Sequence, residues 1–326
     1  MAKVMKKFQV GIVGTGYAAQ RRAEAFLKDG RAEVKAIAGQ HQAAREQFAA
    51  KYHLEAIARW EDLVQRDDLD LVIVCTINRL HGTIARAALE SGKHVVVEYP
   101  LALDPAEAAA LIQLAKEKQL LLHVEHIELL GGLHQTVRRI LPQLGTLTYG
   151  HYFTLAPKAK TLPHWTYNHA DYGFPFVAAL SRVSRLVDLF GPVTTVTGSA
   201  NFVPADLSGY YQNCLCTAQL TFETGAIAHL TYGKGSLIPA GDRRLSLYGE
   251  KGTLEFIGNQ GTLTLGETQT PLDAGSRRGV FLQDTVAVLD YLSEGKPLYI
   301  QPETSLYALH IATQIQQTAM AVDMES

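Results

Sequence analysis

Three small residues near the start of the chain have the spacing of a dinucleotide-binding turn. Gly14, Gly16 and Ala19 follow a short apolar run, and a helix-like segment begins directly after them. In such a turn the first residue permits a tight bend, the second lets the backbone approach a pyrophosphate, and the third keeps helix and strand close. The pattern predicts that the phosphates face the helix N-terminus, with Thr15 and Tyr17 in the same turn. The alternative is a tight structural turn without a ligand.

The end of the second predicted strand indicates which form of the dinucleotide fits. An NAD-binding turn usually has an acidic residue about 20 residues after the motif, where it binds the ribose hydroxyls. This sequence has Gln40 and His41 at that point, and Arg45 follows one helical turn later. A cation without a carboxylate beside it accommodates a 2′-phosphate, so NADPH (or NADP+) is favoured as the cofactor. The alternative is that Arg45 is only a solvated helix residue.

The elements that must position these residues follow a simple order. Strand-like and helix-like segments alternate through residues 1–125, which predicts an α/β Rossmann domain with a doubly wound parallel sheet. After Gly131 strands dominate and glycine-containing turns separate several of them. We therefore expect a C-terminal α+β domain, residues 126–326, with a large open and mainly antiparallel sheet. Its C-terminal helix can pack back on the first domain.

Composition and charge exclude several classes of protein. The chain has 326 residues, of which 47% are hydrophobic, and its 30 basic and 32 acidic side chains give a net charge of −2. A near-neutral chain without a basic block is a poor candidate for nucleic-acid binding. The sequence has no apolar run of about 18 residues and no export signal, so we expect no membrane span and a cytoplasmic protein. Cys75, Cys214 and Cys216 are predicted to be buried thiols.

Two further segments add a family pattern. Asn78 and His81 form an N-x-x-H after the third predicted strand, and residues 92–102 read GKHVVVEYPLA. With the Rossmann opening and the antiparallel second half, these segments resemble the Gfo/Idh/MocA oxidoreductase family over nearly the whole chain. The resemblance implies an NAD(P)-dependent oxidoreductase in which Thr76, Asn78, His81 and Glu98 contribute to the cofactor site.

Two departures from the family pattern narrow the chemistry. The family usually has lysine before the proline of the second segment and D-x-x-x-H on a later helix, whereas this chain has Tyr99 and Arg185 at those positions. A sugar or polyol dehydrogenase needs a base on the hydroxyl, and both usual groups are missing.

The departures themselves resemble the biliverdin reductase subgroup of the family, most of all its cyanobacterial type. They are the Glu98-Tyr99-Pro100 run, the segment HVEHIELL at 123–130, and Gly173-Phe174-Pro175 ahead of Arg185. This resemblance implies hydride transfer from NADPH to the central methine carbon of biliverdin, a linear tetrapyrrole. A proton goes to a neighbouring pyrrole nitrogen, which gives bilirubin.

Each candidate residue has a predicted role and an alternative. Arginine binds carboxylates and stacks on flat π systems, and it does not lose its proton, so Arg185 is expected to hold substrate and stabilise developing charge. The alternative is a surface ion pair with Asp188. His126 has an ordinary pKa useful for proton supply. The predicted catalytic residues are Arg185, Tyr99, Glu98 and His126. The residues predicted to bind substrate are Arg185, Glu125, His126, Tyr167, His169 and Arg243.

Some alternatives stay open from the sequence. No metal site is predicted, because His123, Glu125 and His126 at one strand end would point to different faces. The chain could also be another oxidoreductase of the same family that acts on a sugar or imine, or a non-enzymatic NADPH sensor. A small-molecule substrate is expected in any enzymatic case, and the protein could be a monomer or a homodimer.

Overall fold

The computed structural model describes residues 7–157 and 162–321, and within them the chain forms two compact units. The first unit takes the chain as far as Ile127 and also Gly279–Leu306, and the second takes Glu128–Arg278 and the chain from Tyr307 onward. The predicted boundary after residue 125 lies close to the first crossing. The structure differs in giving a late segment, 279–306, to the first unit.

The first unit is built on a six-stranded parallel sheet with the order β3-β2-β1-β4-β5-β6. This is the doubly wound arrangement that the alternating sequence predicts, and a short third strand adds to it. Its central strands are continuous apolar runs because both faces are covered by helices. The strands are β1 (Phe8–Val13), β2 (Ala32–Ala38), β3 (Glu55–Ile57), β4 (Leu71–Val74), β5 (His94–Val97) and β6 (Leu122–Val124).

Helices connect these strands and begin where the sequence supplies suitable first residues. The clearest case is the helix at 105–117, in which Asp104 accepts a hydrogen bond from the amide of Ala106 at 2.9 Å and Pro105 occupies the first turn. The helices of this unit are α1 (Tyr17–Asp29), α2 (Gln42–Tyr52), α3 (Trp60–Val64), α4 (Asn78–Glu90), α5 (Pro105–Glu117) and α11 (Val280–Glu294). Helices α6 (Ile127–Leu130) and α12 (Pro302–Ala321) begin in this unit and end in the second.

The second unit contains an eight-stranded sheet with the order β14-β13-β12-β11-β7-β10-β9-β8. Every pairing is antiparallel except that of β7 with β10, so the predicted open, mainly antiparallel sheet is confirmed. The strands are β7 (Leu147–Ala156), β8 (Val193–Pro204), β9 (Tyr211–Phe222), β10 (Ile227–Gly235), β11 (Asp242–Gly249), β12 (Gly252–Ile257), β13 (Gln260–Leu265) and β14 (Thr268–Asp273). The sequence did not predict β14, whose side chains are almost all exposed.

Four more helices complete the second unit: α7 (Gly132–Leu144), α8 (His169–Tyr172), α9 (Pro175–Ala178) and α10 (Ser181–Phe190). The sequence predicts a single helix over 176–190, but the structure interrupts it at Ala179, whose ψ of 42° is not helical. No glycine or proline marks this break, so the local sequence gives no signal for it. Cys214 and Cys216 are both buried two residues apart on β9, as alternation predicts. In the ranges described above, no helix is long and apolar enough to cross a membrane.

Candidate functional site

The turn between β1 and α1 has the shape of a phosphate cradle. Gly14 has a φ of +117°, and a Cβ there would lie 2.0 Å from the carbonyl oxygen of Cys75, so only glycine fits. At Gly16 a Cβ would meet nothing within 4 Å, which leaves open space in front of the turn. Gly16 precedes α1 without a side-chain hydrogen bond that caps the helix, and Ala19 is fully buried below it. The turn therefore fits the pyrophosphate of a dinucleotide, with Tyr17 exposed beside it.

The end of β2 places Arg45 next to this turn. Its Nη1 donates to the carbonyl oxygen of Gly39 at 2.7 Å, and its buried Nε has no hydrogen-bond partner among the described residues. A Cβ on Gly39 would lie 2.7 Å from the methyl carbon of Thr15, so the strand end and the turn are in direct contact. Gln40 and His41 are exposed. The guanidinium is thus fixed at the position where the sequence predicts recognition of a 2′-phosphate.

The ends of β4 and β5 carry the other predicted cofactor residues. Thr76 and Glu98 are half-buried, and Asn78 is buried in the first turn of α4. His81 is buried, and its ring nitrogens lie 2.8 Å from the carbonyl oxygen of Pro100 and 3.2 Å from that of Thr76. The ring therefore lies between the ends of β4 and β5, and in its neutral form it donates one hydrogen bond, to one of the two carbonyls. Burial lowers its pKa.

A buried charge network lies behind Glu98, and the sequence did not reveal it. Arg22 on α1 donates to Glu98 at 3.2 Å and also to Asp284 on α11. Asp284 accepts from Tyr299 at 2.6 Å and lies 2.8 Å from His123. Burial opposes its ionisation most strongly, but Arg22 and His123 together hold the pKa of Asp284 below its ordinary value. Segments more than 250 residues apart meet here, which no local pattern shows.

Glu125 and His126 follow β6 and are buried in the same unit. The carboxylate of Glu125 accepts from the amide of Ile127 at 2.7 Å, and burial followed by the charge of Glu98 raises its pKa well above the ordinary value. The His126 ring stacks on Tyr99 at a centroid distance of 5.3 Å, and its Nε2 lies 2.8 Å from Ser305 Oγ. Burial lowers the pKa of His126 to about 3. With so low a pKa the ring is neutral near pH 7, which weighs against the predicted role of His126 in proton supply.

In the second unit Arg185 is buried on α10. Its Nη1 donates to the hydroxyl of Tyr152 at 3.0 Å, and its guanidinium lies 5.0 Å from the centre of that ring. In the part of the chain that the structure describes, its Nε has no hydrogen-bond partner. Asp188 instead lies 2.8 Å from His134 and 3.3 Å from Arg138. The alternative of a surface ion pair between Arg185 and Asp188 is thus contradicted. The pairing with Tyr152 could not be predicted, because that residue lies on a distant strand.

Arg185 lines a small pocket together with two further arginines. Arg243 donates to Asn259 Oδ1 at 2.6 Å and to the carbonyl oxygen of Gly258 at 3.1 Å, and Arg277 pairs with Glu128. Arg185 and Arg243 are thus brought together as the predicted substrate residues require. The sequence offers Arg277, in the pair Arg277-Arg278, as a further candidate for pairing with the propionates of a bilin, ranked below Arg243. It assigns no role to Glu128. Three guanidinium groups and one carboxylate give the pocket a positive charge.

Tyr167 and His169 belong to a different cluster of the second unit. Tyr167 is buried against Tyr211, with 5.4 Å between ring centroids, while His169 is exposed and its ring edge contacts Phe202 and Tyr211. Buried Lys234 donates to the carbonyl oxygen of Thr166. These contacts anchor the loop at 164–169 to the sheet; from its aromatic and polar sequence this loop could be a lid over a flat substrate or ordinary packing. The adjoining residues 158–161 lie outside the described part of the chain.

The arrangement of the described side chains can be compared with what a metal site requires. In residues 7–157 and 162–321, no group of three or more histidine, cysteine, aspartate or glutamate side chains is arranged to hold a metal ion.

Comparisons with known proteins give a consistent result. A model of an oxidoreductase family with an NAD-binding Rossmann fold matches residues 8–126, and that of its C-terminal alpha/beta domain matches residues 140–321. A crystal structure of biliverdin reductase from Synechocystis sp., in complex with biliverdin and NADP+, is 49% identical with a TM-score of 0.93. The similarity covers 96% of this chain and 99% of that chain.

Two curated relatives differ in the substrates that their names state. Biliverdin reductase A of Mus musculus is 27% identical over 260 residues, which is 79% of this chain and 78% of the relative. The dTDP-3,4-didehydro-2,6-dideoxy-alpha-D-glucose 3-reductase of Saccharopolyspora spinosa is 31% identical over 237 residues, or 70% of this chain and 69% of that enzyme. Both are reductases.

Proposed function

This chain belongs to the Gfo/Idh/MocA oxidoreductase family, and we propose that within it the protein reduces biliverdin to bilirubin with NADPH. The observation that carries the proposal is the similarity, along 96% of the chain, to a biliverdin reductase with both biliverdin and NADP+ bound. The reaction adds a hydride to the central methine carbon and a proton to a neighbouring pyrrole nitrogen. NADPH supplies the hydride when it is bound.

The first unit has residues suited to each part of the cofactor. Gly14, Gly16 and the start of α1 hold the pyrophosphate, and Arg45, with Gln40 and His41, receives the 2′-phosphate. The nicotinamide lies among the residues at the ends of β4 and β5, which are Thr76, Asn78, Glu98 and Tyr99. The open space at Gly16 and the fixed guanidinium of Arg45 support this assignment.

The second unit has residues suited to a flat dicarboxylate. Biliverdin carries two propionates on an extended π system, and guanidinium groups bind carboxylates bidentately and stack on π faces. Arg185, Arg243 and Arg277 line one pocket. We assign the propionates to these arginines.

Arg185 acts on charge and does not itself give up a proton. A guanidinium remains protonated at any physiological pH, so general acid catalysis by it is chemically excluded. It stabilises the negative charge that develops on the tetrapyrrole, or it holds a water molecule that donates the proton. The buried position against Tyr152 supports this role, because a charge is more effective where water is excluded.

His126 then has a positioning role. Its neutral ring, stacked on Tyr99, fixes the tyrosine at the end of β5. Glu98 is held by Arg22 and orients the same strand end. Among the predicted catalytic residues of this unit, we therefore assign contact with the ligand to Tyr99.

Mixing the purified protein with biliverdin and NADPH tests the proposal directly. We expect loss of the green bilin spectrum and appearance of yellow bilirubin, and a fall in kcat of about a hundredfold in Arg185→Ala. Arg244→Ala, which removes an exposed guanidinium paired with Asp242, is the matched control and should retain activity. Binding of NADPH without formation of bilirubin at any pH would overturn the proposal.

A second candidate is the reduction of a sugar ketone, favoured by the 31% identity to a dTDP-sugar 3-reductase. Such a reaction requires a proton donor for the developing alkoxide. The two positions that usually supply acid–base groups in the family hold Tyr99 and Arg185 here, which weighs against it. NADPH oxidation with a keto-deoxysugar nucleotide, but not with biliverdin, would select this candidate.

A further inference from the structure

Glu128 occupies an unusual place among the arginines of the second unit. Its Oε1 pairs with Arg277, and its Oε2 lies 3.5 Å from Nη2 of Arg185. The same Nη2 also donates to the backbone carbonyl of Glu128 at 3.4 Å. One carboxylate therefore holds two guanidinium groups of the pocket.

The third arginine of the pocket is held in a different way. Arg243 donates to an amide oxygen of Asn259 and to a backbone carbonyl, which are both neutral acceptors. Its positive charge is thus not neutralised by these contacts. The charge of Arg243 is therefore still available to a substrate carboxylate. Arg185 and Arg277 already share the carboxylate of Glu128.

We propose that Glu128 is an internal substitute for a substrate carboxylate, which holds Arg185 and Arg277 in place and competes with the substrate for them. The inference rests on the proposed function, because it takes a bilin propionate as the competing group. A planar guanidinium that already binds one carboxylate has fewer donors for a second. Two carboxylates beside the same arginines also repel each other, and this weakens binding further.

The competition has a consequence for affinity. Removing the charge of Glu128 while keeping its size frees the donors of both arginines and removes the repulsion. Glu128→Gln should therefore bind a dicarboxylate bilin more tightly than the unmodified protein. A purely structural role for Glu128 predicts the opposite, because a misplaced Arg185 would bind less tightly.

A binding titration separates these cases. Biliverdin and its dimethyl ester, which lacks carboxylates, are titrated by absorbance in the presence of NADP+, so that no turnover occurs. We expect Glu128→Gln to lower the Kd of biliverdin by about three- to tenfold and to leave the Kd of the ester unchanged. The control is Glu267→Gln, which removes the same charge from an exposed position in the turn between β13 and β14 and should change neither Kd.

Arg277→Gln provides an independent variant, since half of its side chain is exposed and it should be tolerated. It should weaken the binding of biliverdin but not of the ester, and adding Glu128→Gln to it should give a smaller gain than in the parent protein. Unchanged or weaker biliverdin binding in Glu128→Gln, or an equal gain with the ester, overturns the inference. Because the titration does not depend on turnover, absence of bilirubin formation would overturn the proposed function alone.

Discussion

At the scale of single residues, we predict that the choice of cofactor depends on Arg45. Its Nη1 is held by the carbonyl oxygen of Gly39, while its buried Nε lacks a hydrogen-bond partner within the described ranges of the chain. A buried donor without a partner destabilises the apo protein, and this cost is removed when a bound anion accepts its hydrogen bond. A 2′-phosphate is the anion that distinguishes NADPH from NADH, so the arginine should affect one cofactor and not the other.

We therefore expect Arg45→Ala to raise the KM for NADPH about tenfold or more, because a hydrogen bond to a charged group contributes roughly 1.5–3 kcal/mol. The KM for NADH should stay within about twofold. Steady-state kinetics with both cofactors at saturating biliverdin measure this. Arg59→Ala, which removes an exposed guanidinium of the same unit, serves as control. An equal rise with both cofactors would assign Arg45 to the stability of the β2 end instead.

At the scale of elements, the turn between β1 and α1 contains two glycines to which we assign different roles: Gly14 a structural one and Gly16 contact with the cofactor. A Cβ at Gly14 would collide with a backbone carbonyl and would need a left-handed φ, whereas a Cβ at Gly16 would point into open space. The two glycines are two residues apart in one motif. Substitution by alanine should nevertheless affect stability at one of them and cofactor binding at the other.

Gly14→Ala is expected to lower the free energy of unfolding of the apo protein by about 2 kcal/mol or more. Gly16→Ala should leave apo stability nearly unchanged but raise the Kd of NADPH about tenfold, because its methyl group occupies the approach of the pyrophosphate. Thermal unfolding without cofactor and fluorescence titration with NADPH measure the two effects. If Gly16→Ala destabilised the apo protein as much as Gly14→Ala, the turn would be a structural feature only.

Elements also mark the limit of what the sequence reveals. The βα turn and the alternation of the first domain are local patterns, so the doubly wound sheet that they predict is confirmed. The short elements β3 and α3 were not predicted. The pairing of Arg22 with Asp284 joins α1 to α11, and Glu128 pairs with Arg277, which lies 149 residues further along the chain. Charges that are distant in sequence find each other through packing, which periodicity and spacing do not encode.

At the scale of the whole molecule, buried titratable groups couple stability to pH with opposite signs. His126 has its pKa lowered by burial to about 3, so the stability it contributes is lost as the pH falls from its ordinary value of 6.5 toward that value. Glu125 has a raised pKa because of burial and the charge of Glu98. Its contribution is complete below the ordinary value of 4.5 and is lost as the pH rises through the folded pKa. His126 therefore lowers the stability of the folded protein at acid pH, and Glu125 lowers it as the pH rises.

Glu125→Gln isolates the loss of stability at rising pH. Glutamine has the size of the neutral acid and similar hydrogen bonding, but it does not ionise. We expect the variant to gain stability over the parent as the pH rises above about 4.5, at about 1 kcal/mol per pH unit, until the folded pKa is passed. The difference in Tm between the two proteins, measured from pH 4.5 to 8.5, follows this gain, and the pH at which it becomes constant gives the pKa of Glu125 in the folded state. Glu90→Gln changes an exposed carboxylate of the same unit and should give a constant difference. A constant difference for Glu125→Gln as well would mean that Glu125 is ionised in the folded protein.

The positive charge of Arg22 would then have to compensate the negative charges of Glu98, Glu125 and Asp284 together.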